Sequence, residues 1–213
     1  MNGLIWNKTK ECMSAEDRYK LQSARLAKQV KRVYHQVPFY REKMQQMGLE
    51  PGDIKGLEDL GKLPFTTKAD LRDHYPFGLF AVPQSEIVRL HASSGTTGKP
   101  TVVGYTRGDI ECWQECVARC LTMAGVTQHD KVQVAYGYGL FTGGLGLHYG
   151  VENLGAMVIP ISTSHTQKQL QLMEDFGTTV IACTPSYLGH LMDSILEAGI
   201  KPNLQLKTAI CGA

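Results

Sequence analysis

The chain has 213 residues, of which 43% are hydrophobic and 20% are charged, and its formal net charge is +2. These values are typical of a soluble globular protein with one large or two small domains, and the balanced charge gives no indication of nucleic-acid or membrane binding. No apolar run is long enough to span a membrane, and the N-terminal residues lack the apolar core of a secretion signal. Six cysteines without a dense spacing pattern favour reduced thiols and a cytoplasmic location.

Residues 1–85 are predicted to form a mainly helical N-terminal region. A capping pair predicts a helix that starts at Ser14 and is interrupted at Pro38. A shorter helix is predicted over residues 39–47, and a second capping pair predicts another that starts after Thr67. The basic side chains along the first helix could form a docking face for phosphates, but a solvated helix face is the simpler interpretation.

From residue 86 onward, strands and helices are predicted to alternate. Strands over 86–92 and 101–105 flank a glycine-rich loop, and a helix with Trp113 on its apolar stripe follows. Further strands are predicted over 131–136, 156–161, 178–183 and 206–211, and further helices over 143–154, 166–176 and 184–198. This alternation indicates βαβ units and a parallel sheet, on which ligands bind beyond the carboxyl ends of the strands.

The loop over residues 93–100 reads SSGTTGKP and has the composition of a polyphosphate-binding loop. It combines glycines, four hydroxyl side chains and one ammonium group, and no acidic residue lies between Ser93 and Tyr105. It is not a P-loop, because Gly95 and Gly98 are too close in sequence and Pro100 follows the lysine. An ordinary surface turn is the alternative interpretation. The candidate phosphate-binding residues are Ser93, Ser94, Gly95, Thr96, Thr97, Gly98 and Lys99.

A second unusual segment, YGYGLFTGG over residues 136–144, interleaves aromatic residues with glycines. Aromatic rings give a flat apolar wall and glycines leave room beside it, which suits a ligand that carries an aryl ring. A glycine-rich turn whose aromatic side chains fill the core explains the segment equally well. His148 follows in the predicted helix and is the histidine expected to lie nearest a ligand, although a packing role is simpler.

Three cysteines recur every four residues on the helix that carries Trp113: Cys112, Cys116 and Cys120. This spacing could place metal ligands on one helix face. Because no second ligand pair has a matching spacing, no metal site is predicted.

Four segments together resemble the phenylacetate–CoA ligase branch of the adenylate-forming acyl-CoA synthetases. They are SSGTTGKP with the following Tyr105-Thr106, LPFTTKADLRDHYPFGLFAVP (63–83), YGYGLFTGGLGLHYG (136–150) and TPSYL (184–188). The resemblance extends over essentially the whole chain. It implies an α/β fold in which a helical region, 1–85, precedes an incomplete, largely parallel nucleotide-binding βαβ sheet, 86–213.

The resemblance also implies an acid–thiol ligase that acts in two steps in phenylacetate catabolism. A carboxylate attacks the α-phosphate of Mg²⁺-ATP to give an acyl-adenylate and pyrophosphate, and the thiol of coenzyme A then displaces AMP. Residues 93–99 would hold the β- and γ-phosphates, Gly212 and Ala213 would begin the adenine-binding segment, and Tyr136 and Phe141 would line the aryl pocket. The implied cofactors are ATP, Mg²⁺ and coenzyme A, and no catalytic or metal-binding residue is assigned.

The sequence departs from the family pattern by stopping at Ala213. The family's acidic Mg²⁺ residue, its ribose-binding aspartate and its C-terminal domain with the catalytic lysine are absent. The expectation is therefore an N-terminal part of the enzyme that is inactive in isolation. Its expected partner is a second copy, in a homodimer, or the missing C-terminal half. The alternatives are a ligase for another aryl acid such as indoleacetate, or a non-catalytic remnant that binds only nucleotide or a partner.

Overall fold

The computed structural model describes residues 4–93, 98–140, 142–200 and 203–212. These residues form two compact units, a helical unit of residues 8–107 and a sheet unit of residues 4–7 and 108–212. The β-hairpin that flanks the glycine-rich loop belongs to the helical unit. The domain boundary predicted between residues 85 and 86 stays a prediction.

Helices make up most of the helical unit, as the sequence predicts. Its α-helices are α1 (Lys8–Glu11), α2 (Ala15–Gln36), α3 (Pro38–Gln46) and α4 (Lys68–Asp73), and its 3-10 helices are Pro51–Asp53, Leu57–Lys62 and Gln84–Glu86. A small core of Val30, Tyr34, Met44 and Ile54 packs α2 against α3 and the segment that follows. Two strands, β1 (Ile87–Ala92) and β2 (Val102–Thr106), pair antiparallel.

Side-chain caps fix the starts of these helices. The Ser14 hydroxyl accepts the Asp17 N–H at 3.0 Å, which confirms the predicted start of α2. Thr67 and Asp70 form a reciprocal capping box at α4, and Lys43 binds the same carboxylate at 2.9 Å. The Thr67 N–H and then the Lys43 ammonium lower the pKa of Asp70 to about 2.

The sheet unit alternates helices and strands and contains a parallel sheet, which confirms the predicted α/β fold. Its elements are α5 (Arg107–Met123), β3 (Lys131–Val134), α6 (Thr142–Leu154), β4 (Met157–Ile159), α7 (Thr166–Phe176), β5 (Val180–Cys183), α8 (Pro185–Ala198) and β6 (Thr208–Cys211). The strand order is β4-β3-β5-β6, and every neighbouring pair is parallel. No helix among the described residues is long and apolar enough to cross a membrane.

The sheet lies between two layers of helices, each with its own core. Along β5, Val180 and Ala182 belong to a core shared with α5 and α6, whereas Ile181 and Cys183 belong to a core shared with α7 and α8. This alternation is the period-two pattern of a strand that is buried on both faces. The carboxyl ends of the strands therefore meet at one edge of a three-layer unit.

A buried carboxylate holds the opposite edge of the sheet together. Asp130, 3% exposed, accepts hydrogen bonds from the Thr127 N–H at 2.8 Å and the Thr179 hydroxyl at 2.7 Å, and it pairs with Lys207 at 2.8 Å. Burial raises the pKa of Asp130, but Lys207 and these hydrogen bonds outweigh burial and lower the value to about 2. The amino-terminal ends of β3, β5 and β6 are thus tied to one ionised group.

A buried amide network joins the middle of the sheet to α7. Gln133 donates to the Gln169 side-chain oxygen at 2.6 Å and accepts the Thr178 hydroxyl at 2.9 Å, and all three residues are buried. Gln169 in turn donates to the Ser162 carbonyl at 2.9 Å. The network therefore anchors the loop between β4 and α7, where Ser162 has a φ of 63°.

Candidate substrate and nucleotide site

Three strand ends of the sheet unit converge on the hydroxyl of Tyr136. This hydroxyl lies 2.5 Å from the Cys183 carbonyl oxygen and 2.6 Å from the Gly212 carbonyl oxygen, and it accepts the Gly212 N–H at 3.0 Å. It has one proton, so it can donate to only one carbonyl at a time. The hydroxyl is therefore occupied by backbone groups, and the ring is the part of Tyr136 left to face a ligand.

Burial determines the chemistry open to Tyr136. The residue is only 7% exposed, and burial raises the pKa of its phenol above the ordinary value for tyrosine. The phenol is therefore neutral near pH 7 and is suited to packing and orientation rather than to proton abstraction.

A mostly apolar cavity of ≈ 360 Å³ lies on one side of Tyr136. This volume falls in the lower part of the range of about 300–1,000 Å³ that is common for small-molecule sites. Two aromatic rings, three aliphatic side chains and several glycines form most of its wall. The lining residues are Trp113, Val117, Tyr136, Thr142, Gly143, Gly146, Leu147, Ile210, Cys211 and Gly212.

Two glycines on α6 allow the close approach of α6 to α5 beside this cavity. A Cβ placed on Gly146 would collide with the Trp113 ring, and one placed on Gly150 would collide with the Val117 side chain. Gly146 and Trp113 both line the cavity. A larger residue at position 146 would therefore displace the Trp113 ring or occupy cavity space.

A second cavity, of ≈ 400 Å³, also has Tyr136 in its wall. Hydroxyl and amide groups are more frequent here than in the first cavity. The lining residues are Ala135, Tyr136, Gly137, Thr163, Ser164, Gln169, Thr184 and Tyr187. Thr184 is also the N-cap of α8 and accepts the Tyr187 N–H at 3.4 Å. The accessible wall of this cavity is nevertheless mostly apolar, like that of the first cavity.

His148, on α6, contacts one side chain through each of its ring nitrogens. Its Nδ1 lies 3.4 Å from the Tyr138 hydroxyl, and its Nε2 lies 3.2 Å from a Glu152 carboxylate oxygen. Burial, followed by the Glu152 charge, raises the pKa of Tyr138 to about 12. Both ring nitrogens of His148 have side-chain neighbours, and its contact with a ligand stays a prediction.

The described ends of the glycine-rich loop lie in the helical unit. The Ser93 N–H donates to the Thr101 carbonyl at 3.0 Å, and the Ser93 hydroxyl accepts the Thr101 N–H at 2.9 Å. Gly98 has a φ of 136°, which side-chain-bearing residues rarely adopt. The Lys99 ammonium lies 5.8 Å from the centroid of the Tyr75 ring. Two hydrogen bonds between Ser93 and Thr101 thus join the two ends of the loop, as expected for a loop between two paired strands.

Some of the predicted site residues lie outside the described residues, and some residues of the observed cavity were not predicted as site residues. Those outside are Ser94, Gly95, Thr96, Thr97, Phe141 and Ala213. Trp113 and Gly146 line the first cavity, although the sequence analysis assigned Trp113 only to an apolar helix stripe. The signal that could have found them is the four-residue spacing shared by Gly146 and Gly150 on one helix and by Trp113 and Val117 on the other.

Sequence comparison links the chain to one family of enzymes, although no protein-family model matches it. Phenylacetate–CoA ligase from Pseudomonas putida is 56% identical over 193 residues, which are 90% of this chain and 44% of that protein. The enzymes from Thermus thermophilus and Escherichia coli are 52% and 51% identical over 95% of this chain and 46% and 47% of their own lengths. By sequence, the chain resembles the phenylacetate–CoA ligases. It matches the N-terminal portion of these enzymes and spans about half their length.

Solved structures support the same fold. A crystal structure of 2-hydroxyisobutyryl-CoA ligase in complex with 2-HIB-AMP and CoA, in the thioesterification state, matches with a TM-score of 0.91 and 32% identity. The match covers 98% of this chain and 46% of that enzyme. A second structure of that ligase, in the postadenylation state with 2-HIB-AMP, matches with a TM-score of 0.90 over 100% of this chain. The fold is therefore that of an N-terminal part of an acyl-CoA ligase.

Proposed function

We propose that this chain supplies the acid-binding and nucleotide-contacting part of an ATP-dependent phenylacetate–CoA ligase. The observation that carries the proposal is the apolar cavity beside Tyr136, at the carboxyl edge of the sheet, in a chain 51–56% identical to phenylacetate–CoA ligases. Ligands of parallel α/β sheets bind at this edge.

The aryl ring of the acid would occupy the first cavity. The Tyr136 and Trp113 rings offer flat apolar surfaces there, and Gly146 places no side chain beside the Trp113 ring. Phe141 belongs to the same glycine-rich segment, 136–144, as Tyr136 and is proposed to complete the aryl wall. Because the Tyr136 hydroxyl is held by backbone groups, the contact of Tyr136 with the acid is proposed to be through its ring.

The phosphates of ATP would be held by the loop over residues 93–99. The Ser93 oxygen accepts the Thr101 N–H, so its hydroxyl proton is available to donate to a phosphate oxygen. Lys99 adds a positive charge, and the hydroxyl and backbone groups of residues 94–97 would add donors. Gly212 and Ala213 would begin the adenine-binding wall. The role of this chain in adenylation is thus to position ATP and to neutralise charge on the departing pyrophosphate.

The residues described here do not fit a protein-held magnesium site. Among them, no three His, Cys, Asp or Glu side chains come together in a way that could hold a metal ion. We therefore propose Mg²⁺ only as the counter-ion that enters with ATP, and coenzyme A only as the cosubstrate of the second step. A cytoplasmic location is part of the same proposal, as is completion of the site by a C-terminal half or within a homodimer.

Calorimetric titration of the 213-residue chain with phenylacetate tests the aryl site. We expect saturable binding by the unsubstituted chain and at least about tenfold weaker binding by Gly146→Ala, because the added methyl group collides with Trp113. The matched control is Gly189→Ala on α8, where an added Cβ meets no heavy atom within 4 Å. Circular dichroism verifies that both variants stay folded.

Three outcomes would contradict the proposal. They are no binding of phenylacetate by the unsubstituted chain, equal affinities for the Gly146 and Gly189 variants, and unchanged affinity after Tyr136→Ala in a variant that remains folded. Indoleacetate is titrated in parallel, and tighter binding of that larger acid would reassign the substrate to another aryl acid.

A further inference from the structure

Two cysteines occupy directly opposed positions where β5 and β6 end. Cys183 is the last residue of β5, Cys211 is the last residue of β6, and the two are register partners in the parallel pair. Cys183 is fully buried, whereas Cys211 is exposed. Neither thiol has a role in the proposed ligase chemistry.

The side chains of these two cysteines point to the same face of the sheet. The preceding register pair, Ala182 and Ile210, packs into the core shared with α5 and α6. Because side chains alternate along a strand, the next pair faces the opposite layer, and Cys183 indeed belongs to the core shared with α7 and α8. The Cys211 side chain is therefore directed to that layer as well.

The spacing of the strands permits a covalent bond between the two sulfurs. Neighbouring strands lie about 4.8 Å apart, and disulfides join residues whose Cα atoms are roughly 4.4–6.8 Å apart. The proximity of the thiols also affects ionisation. Burial first, and then charge and hydrogen-bonding interactions with Cys211, raise the pKa of Cys183 to about 11. Cys183 is thus a protonated thiol next to an accessible one.

We propose that Cys183 and Cys211 form a modification site, a dithiol that a peroxide oxidises to an intramolecular disulfide. The exposed Cys211 thiol releases its proton, and its thiolate attacks one oxygen of the peroxide. The O–O bond breaks, a sulfenic acid forms, and the leaving hydroxide takes up a proton to become one water. The Cys183 sulfur then attacks the sulfenic sulfur, the S–O bond breaks, and the hydroxyl leaves with the Cys183 proton as a second water. Two thiols are oxidised and one hydrogen peroxide is reduced, so the step balances.

The bond would act directly on the candidate site. The Cys183 carbonyl and the backbone of Gly212, the residue after Cys211, are the groups that hold the Tyr136 hydroxyl. A disulfide would fix the separation of these two strand ends. The inference itself depends only on the cysteine pair, so it stands or falls independently of the proposed ligase function.

Mass spectrometry on variants of the 213-residue chain tests the site. The test variant carries Cys12→Ser, Cys112→Ser, Cys116→Ser and Cys120→Ser, which leaves only the two strand-end thiols. The matched control adds Cys211→Ser. Trypsin cuts after Lys207, which places Cys183 and Cys211 in different peptides. The unsubstituted chain is mapped in parallel, so the result does not depend on the folding of the variants.

After treatment with hydrogen peroxide, the test variant is expected to lose two hydrogens and to yield a Cys183–Cys211 linked peptide that a dithiol reductant separates. The control is expected to keep its mass or gain oxygen, without a linked peptide. Oxidation of Cys211 to a sulfinic acid without linkage would overturn the proposal. Full alkylation of Cys183 after peroxide treatment, or loss of two hydrogens by the control, would also overturn it.

Discussion

Replacing Tyr136 with phenylalanine separates the two roles of this residue, because it removes the hydroxyl and keeps the ring. The hydroxyl accepts the Gly212 N–H and donates to the carbonyl of either Cys183 or Gly212, so the change removes two hydrogen bonds at any moment. We expect Tyr136→Phe to lower the free energy of unfolding and to leave phenylacetate affinity nearly unchanged. The reason is that the aryl wall is made by the ring.

The magnitude follows from the number of bonds lost and from their burial. A hydrogen bond contributes about 0.5–1.5 kcal/mol net, so two contribute about 1–3 kcal/mol. For a chain of this size each kcal/mol shifts the melting temperature by roughly 2–4 °C. We therefore expect the melting temperature to fall by about 2–12 °C.

Thermal unfolding followed by circular dichroism measures the melting temperature, urea unfolding measures the free energy of unfolding, and calorimetry measures the affinity for phenylacetate. The control is Tyr19→Phe, which removes a hydroxyl bond to the Glu58 carboxylate at 2.7 Å from a side chain that is 49% exposed. That control is expected to shift the urea midpoint much less. If both variants unfolded at the same urea concentration, or if Tyr136→Phe abolished phenylacetate binding, the reasoning about the strand ends would be wrong.

Two further predictions concern the buried polar groups of the sheet unit. The pKa of Asp130 is lowered to about 2 in the folded chain. Its contribution to stability is therefore fully present above its ordinary pKa, near 4, and is lost as the pH falls through about 2. Urea midpoints measured between pH 5 and pH 2 should fall less steeply for Asp130→Asn than for the unsubstituted chain, and equal slopes would contradict the assignment. Gln133→Leu leaves the Thr178 hydroxyl and the Gln169 side-chain oxygen without their present partner, so we expect a loss of about 1–3 kcal/mol in urea unfolding. A stability equal to that of the unsubstituted chain would show that the amide network contributes nothing net.

Local sequence signals predicted the helices well because their ends depend on neighbouring residues. The pairs at Ser14 and Thr67 form the N-caps that their spacing predicted. Strand ends were predicted less well. The strand expected over 156–161 covers only Met157–Ile159, because Pro160 has no N–H to donate and the Ile161 N–H turns back to the Ile159 carbonyl.

The candidate site was only partly predictable, because its cavity is formed by residues that are distant in sequence. Tyr136 was identified from its glycine-rich surroundings, but the binding of its hydroxyl to backbone atoms of residues 183 and 212 depends on the sheet order. The aromatic face of Trp113 reaches the cavity only because Gly146 brings two helices close together. No single segment contains that information.

The amide network around Gln133 has a consequence for how the sheet can change during evolution. Replacing any one of Gln133, Gln169 and Thr178 leaves a buried donor or acceptor without its partner, whereas replacing them together with apolar residues removes donors and acceptors at once. A one-residue slip of β3 would also turn the amide toward the apolar core on the other face. The three positions are therefore expected to vary together among relatives, even though Gln169 and Thr178 lie 36 and 45 residues after Gln133 in the chain.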